Sequence, residues 1–261
     1  MAHHLKLANA STATRRLGDW AETETSLDIM RSLELISALP GPAMTMIAGA
    51  PGVGKTATLE RFTAAHEIDR GVAYIQAAKG EGTAWNFATS MCAIWGQSAP
   101  EFVSLSEARQ KFARYLRDSI LIVDEAQYLD QKNHRNGQTG EVFEWLRAMS
   151  ETGGCKIVFA GDLALPGAIS KMPQLLSRIR RPVVVRMASR ADVAAMVEGT
   201  SFCIPACLDA LHAIAKKPGG LRNVESVTTL AQLFAGDDAP GLIHVKAAIH
   251  DMKLGPKGGV K

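Results

Sequence analysis

The sequence predicts an α/β fold, a five-stranded parallel sheet with helices on both faces, followed by a small all-helical domain. Three observations predict it. Short apolar runs of strand length alternate with stretches of helical period through the first two thirds of the chain. A glycine-rich loop separates the first apolar run from the helix after it, a context that such loops require. After about residue 188 the apolar runs stop and only helical periodicity continues.

The elements follow in order. Residues 1–25 are polar and mixed, contain Arg15, Arg16 and Trp20, and read as an arm. A helix over 26–39 is stopped by Pro40-Gly41-Pro42. Residues 44–48 suit a buried strand and 57–66 a helix with Leu59 and Phe62 on one face. A second strand at 71–75, a short loop at 77–83 and an apolar helix at 84–95 come next. Residues 105–117 are amphipathic, with Leu105, Ala108, Phe112 and Leu116 aligned, and 120–125 form an apolar strand ending in two acids. A polar stretch at 130–140 lacks periodicity, whereas 141–150 is helical with Val142, Trp145, Leu146 and Met149 inward. Strands are expected at 156–160 and 182–186, then helices at 191–198, 205–215, 221–234 and 242–252. The expected organisation is an arm at 1–25, an α/β nucleotide-binding domain at 26–187, a helical domain at 188–254 and a basic tail at 255–261.

Gly49-Ala50-Pro51-Gly52-Val53-Gly54-Lys55-Thr56 is a complete G-x-x-x-x-G-K-[ST] phosphate loop. Its glycines let backbone N–H groups close around phosphates, and the helix that follows, from Ala57, aims its N-terminus at them. Lys55 is placed to reach the β- and γ-phosphates, and Thr56 offers a hydroxyl to Mg²⁺. The second half of the site is the strand end Asp124-Glu125. Open α/β sheets bind ligands at that end of their strands. Asp124 is expected to hold the metal and Glu125 to polarise the attacking water. ATP with Mg²⁺ is therefore the expected cofactor pair.

Bulk properties narrow the class. The chain has 261 residues, is 47% hydrophobic and 21% charged, and so is globular rather than disordered. A net charge of +3 is too small to demand a nucleic-acid partner, although Lys246, Lys253, Lys257 and Lys261 outweigh Asp251 near the end. Four cysteines, Cys92, Cys155, Cys203 and Cys207, lack a zinc-site pattern and read as reduced thiols of a cytoplasmic protein. No apolar run of signal-peptide or membrane-spanning length occurs, so neither secretion nor a membrane partner is expected.

Guanine-selecting signatures are absent: no D-x-x-G follows the acidic strand, and there is no N-K-x-D. The arrangement resembles the AAA+ ATPases, which implies a P-loop AAA+ core followed by a small α-helical lid domain. Gly161-Asp162 after the fourth strand stands where that family keeps a polar sensor of the γ-phosphate. The segment Pro173-Gln174-Leu175-Leu176-Ser177-Arg178-Ile179 is similar to the one that carries the arginine finger, with Arg180 and Arg181 as competitors of Arg178. Gly219-Gly220-Leu221-Arg222 resembles the second sensor, which makes Arg222 a nucleotide contact. A finger supplied to a neighbour's site implies a homo-oligomer. Asp162 departs from the family, whose members usually carry Asn there, and a carboxylate near the γ-phosphate slows turnover unless a cation or proton offsets it.

Within that family, Val123-Asp124-Glu125-Ala126-Gln127-Tyr128-Leu129 is similar to the D-E-A-Q-x-L of the Mu B transposition proteins and the ExeA-type ATPases. Ala73-Tyr74-Ile75-Gln76-Ala77 and Ile94-Trp95-Gly96 look like the same branch. This resemblance implies an ATP-dependent protein that forms helical filaments on DNA, selects target DNA and activates a transposase. A helicase loader, an ExeA-type assembly ATPase and a nucleotide-gated scaffold with little turnover are the alternatives. Two loops offer sequence-independent DNA contacts: Lys79 with Gly80 and Thr83, and Lys132, Asn133, His134 and Arg135. Trp85 is expected to be a core residue rather than a stacking platform.

Overall fold

The computed structural model describes residues 19–66, 71–94, 102–131 and 139–255. Helix α1 (Glu24–Ala38) starts where Thr23, in extended conformation, accepts the Ser26 N–H at 3.0 Å. It buries Ile29, Leu33 and Ile36. Strand β1 (Ala43–Gly49) is buried at all seven positions. A central parallel strand covered on both faces needs such an uninterrupted run. Helix α2 (Lys55–His66), strand β2 (Val72–Gln76), helices α3 (Ala84–Ile94) and α4 (Leu105–Tyr115) and strand β3 (Ile120–Asp124) follow.

Helix α5 (Glu141–Gly153) and strand β4 (Lys156–Gly161) come next. Two short helices absent from the sequence expectation, α6 (Leu165–Ser170) and α7 (Pro173–Leu176), then lead to strand β5 (Val183–Val185). Each has a proline in its first turn, where the missing N–H costs nothing. Such helices are too short to show a period. Helices α8 (Arg190–Val197), α9 (Pro205–Ala215), α10 (Gly220–Ala235) and α11 (Leu242–Asp251) complete the chain.

All strand pairs are parallel, in the order β2-β3-β4-β1-β5. Alternation along β3 sends Leu121 and Val123 into one core with Phe87, Phe112, Trp145 and Met149. Ile120 and Ile122 enter the other, with Ile29, Leu33, Leu59 and Phe62. A third core joins helices α8 to α11 through Val193, Phe202, Leu211, Val224 and Val245. The strand order sets the C-terminal ends of β3, β4 and β1 side by side, so segments distant in sequence meet there.

A buried carboxylate ties helix α1 to helix α8. Asp192 is 1% exposed. It accepts hydrogen bonds from Thr25 N–H (2.9 Å), Thr25 hydroxyl (3.0 Å) and Ser189 N–H (2.8 Å). Asp192→Ala strands three donors, so it is expected to lower unfolding free energy by about 3 kcal/mol in urea titration. A change under about 1 kcal/mol would show that water replaces the carboxylate without loss.

Candidate active site

The phosphate loop leaves β1 at Gly49 and enters α2 at Lys55. Lys55 Nζ donates to the carbonyls of Gly49 (2.7 Å) and Ala50 (3.1 Å), curling the loop over its own lysine. Pro51, Gly52, Gly54, Thr56 and Ala57 line a cavity of about 390 Å³ together with Gly49 and Lys55. Two loop residues serve the scaffold instead. The Ala50 N–H goes to the Val185 carbonyl at 2.9 Å, and Val53 is 1% exposed. Burial lowers the Lys55 ammonium below its ordinary value against the opposing pull of Asp124, Glu125 and Asp162, while Arg222 adds to the lowering.

Asp124 closes β3 and is fully buried. Its Oδ2 accepts from the Thr56 hydroxyl at 2.8 Å and from the Tyr74 hydroxyl at 2.9 Å. Its Oδ1 accepts from the Glu125 N–H at 2.8 Å. Thr56 and Asp124 thus form a pair of hard oxygen ligands at the loop. Among the described residues no group of three or more His, Cys, Asp or Glu side chains is placed to hold a metal. Two hard oxygens suit Mg²⁺, which takes one or two protein oxygens and completes its shell with phosphate and water. Tyr74 escaped the sequence reading as a site residue because its partner lies 50 positions away. Burial and then Asp124 raise its phenol above the ordinary value, which keeps it a proton donor.

Glu125 lines the cavity and adopts a left-handed backbone, φ +53. The turn it starts, Ala126–Leu129, folds Gln127 back onto it. Gln127 Nε2 donates to Glu125 Oε2 at 2.5 Å, and Gln127 Oε1 accepts the Asp162 N–H at 3.1 Å. Asp162 lines the same cavity, and its Oδ1 accepts the Ala164 N–H at 2.8 Å.

The helical end of the chain closes the cavity from above. Arg222, in the first turn of α10, is exposed and lines it with Leu221 and Val224. The Leu221 N–H donates to the Gly52 carbonyl at 2.8 Å. A Cβ on Gly52 would lie 1.9 Å from the Gly219 carbonyl oxygen, so glycine is what allows the two backbones to touch. The arm contributes where no role was expected: Asp19, Trp20 and Ala21 line the cavity, and the Arg61 guanidinium sits 4.9 Å from the centre of the Trp20 ring. Trp20, Ala21, Met196 and Val197 give this end of the cavity an apolar wall.

Residues 40–168 match the family model of the AAA domain, and residues 177–252 match that of the Mu B transposition protein, C terminal. This chain is a Mu B-like AAA+ ATPase. No curated protein matches it. Among solved structures, the Aeropyrum pernix ORC2 protein in ADPNP–ADP complexes has a TM-score of 0.60 at 16% identity, covering 87% of this chain and 66% of that one. The Aeropyrum pernix ORC1 protein in complex with DNA gives 0.59 at 18%, covering 88% and 65%. Domain III of the Thermotoga maritima replication initiation protein DnaA gives 0.54 at 20%, covering 87% and 91%. At these identities the likeness is one of fold. The chain spans about two thirds of the two Aeropyrum proteins.

In this AAA+ ATPase none of the three candidate finger arginines lines the chain's own cavity. The Arg180 N–H bonds the Met44 carbonyl, at the opposite end of β1 from Gly49. Five residue steps of strand run from Met44 to Gly49, about 17 Å. Arg178 is 53% exposed and bonds Glu151 at 2.8 and 3.2 Å. Arg181 is fastened to Asp28, and the Arg180 guanidinium bonds the nearby carbonyls of Ser177 and Ile179.

Lys79 is exposed, with Nζ 5.8 Å from the centre of the Tyr128 ring. Glu81 beside it is occupied within its own loop, accepting from Ala78 N–H and from the Ser90 hydroxyl. Lys132, Asn133, His134 and Arg135 lie outside the described residues. Trp85 corrects an expectation: its side chain packs edge-on against Phe102 but remains 41% exposed, because it begins α3 at the rim of the core. The four cysteines are free, three of them buried and Cys203 exposed. No helix among the described residues is long and apolar enough to cross a membrane.

Removing the Tyr74 hydroxyl takes one orienting donor from Asp124. Tyr74→Phe is expected to weaken Mg²⁺-dependent ATP binding about tenfold, measured by titration with and without the metal. Unchanged metal dependence would show that Thr56 and the Glu125 N–H suffice. The lysine gives a pH prediction. Bound triphosphate favours charged Lys55, whose free-state value is lowered from 10.5. Below that lowered value the group is already protonated; above it, binding must take up a proton. ATP affinity is therefore expected to fall, and proton uptake to appear in calorimetry, as pH rises through the alkaline range.

Proposed function

We propose that this ATPase binds DNA in its ATP state, self-associates along it, and serves a transposase by selecting and presenting target DNA. The observation that carries this reading is the Mu B match over residues 177–252, joined through the Gly52–Leu221 backbone contact to the loop that grips phosphate. That contact gives the bound nucleotide a direct hold on the helical end of the chain.

In the reaction, Lys55 exchanges its two carbonyl partners for the β- and γ-phosphates. Thr56 and Asp124 would hold Mg²⁺, which would supply charge neutralisation at the phosphates. Glu125 accepts a proton from the water that attacks the γ-phosphorus. Lys55 and Arg222 supply the positive charge that offsets Asp162. Arg178 exchanges Glu151 for the γ-phosphate of a neighbouring copy, so turnover needs assembly. DNA phosphates meet Lys79, Lys132 and Arg135, a set that distinguishes no base sequence.

The test uses the full chain on duplex DNA with ATP, ADP or no nucleotide. Retention only with ATP, falling by orders of magnitude between roughly 50 and 200 mM salt, is expected. Glu125→Gln should prolong the complexes. Chains carrying Lys55→Ala and chains carrying Arg178→Ala, each slow alone, should recover turnover when mixed. Indifference to DNA in every nucleotide state defeats the DNA reading, and no recovery on mixing defeats the shared site.

A further inference from the structure

We propose that Gln127 is a positioning residue for ATP hydrolysis, acting through Glu125. The inference rests on Glu125 being the group that activates water. It concerns the chemical step alone and is independent of DNA or a transposase.

The hydrogen-bond chemistry orients the Gln127 amide. The Asp162 N–H can only donate, so it must face Oε1. That leaves Nε2 against the Glu125 carboxylate, where an acceptor oxygen lies 2.5 Å away. A single side chain therefore spans from the end of β3 to the end of β4. The backbone ladder between these strands stops at Val123↔Phe159, although β4 continues to Gly161. The Gln127 amide replaces the next rung, with an oxygen for the β4 side and an N–H for the β3 side.

Two costs elsewhere in the chain accommodate this bridge. Glu125 has the left-handed φ that non-glycine residues avoid. Without that bend the turn Ala126–Leu129 would not return Gln127 to Glu125. Gly161 leaves the space: a Cβ there would sit 2.4 Å from Gln127 Oε1. Any other residue at 161 would push the amide off its partners.

The consequence falls on the carboxylate. With Oε2 engaged by an N–H donor, Glu125 is held in one orientation and presents Oε1 to a water proton. Displacement of a catalytic group by about 1 Å is enough to cost up to 10²-fold in rate. Because the other end of the amide holds the Asp162 backbone, a movement of that segment when a γ-phosphate arrives is passed to Glu125. The same carboxylate would be loose in a chain lacking the amide.

The experiment measures kcat, KM and equilibrium ATP affinity of the full chain for Gln127→Met, which keeps length without either hydrogen bond. Gln127→Glu, which keeps the acceptor for Asp162 and loses the donor, is measured beside it. Both are combined with Glu125→Gln. We expect kcat to fall about tenfold in each single variant, ATP affinity to stay within about twofold, and no further loss in the Glu125→Gln background. Normal kcat in the glutamate variant overturns the proposal, as does an equal loss with Glu125→Gln present, which would mark a general structural effect. Should Gln127→Met fail to fold, Gln127→Glu decides the matter by the same readouts. A normal rate in Glu125→Gln alone overturns the premise about Glu125, and is seen separately from any effect of Gln127.

Discussion

A fully buried carboxylate has to be satisfied by donors brought to it, and Asp124 imposes that requirement on three parts of the chain. Thr56 reaches it from α2, Tyr74 from β2, and the Glu125 N–H from the chain's next residue. Meeting the demand fixes the start of the helix that follows the phosphate loop relative to the acidic strand end. Thr56, Asp124 and the glutamate beside them are thereby held in fixed relation to one another. An unsatisfied charge at this depth would cost several kcal/mol, so the three donors are structural necessities as well as parts of a site.

The strand order then decides what else gathers there. With β4 between β3 and β1, the end of β4 delivers Asp162 between the acidic strand end and the phosphate loop. Gln127 knits two of these ends together through side-chain atoms where the ladder has run out. On the other side, backbone touches backbone at Gly52 and Leu221, and Asp192 binds α1 to α8. The helical end of this Mu B-like ATPase is thus connected to the phosphate loop by short, directional bonds rather than by apolar packing alone. Such bonds break over tenths of an ångström, which suits a nucleotide-dependent change.

Much of this was legible in the sequence because the relevant physics is local. A phosphate loop needs consecutive residues, and its glycines and lysine stand in one octamer. Buried parallel strands need uninterrupted apolar runs, and β1, β3 and β4 show them. The short helices α6 and α7 were not legible, since six and four residues hold too little of a helical period. Trp85 was misplaced for a related reason: composition says that a tryptophan buries area, not that it begins a helix at the rim of a core.

The sequence by itself determined the chemistry available: a triphosphate loop, two acids at a strand end, and a helical segment that follows. Only the tertiary structure decided which groups act on which. Tyr74 lies 50 residues from Asp124, Asp162 lies 35 from Gln127, and Asp192 lies 167 from Thr25. Nothing in local spacing encodes those meetings, because they are set by strand order and by the need of each buried polar group to find a partner once water is gone.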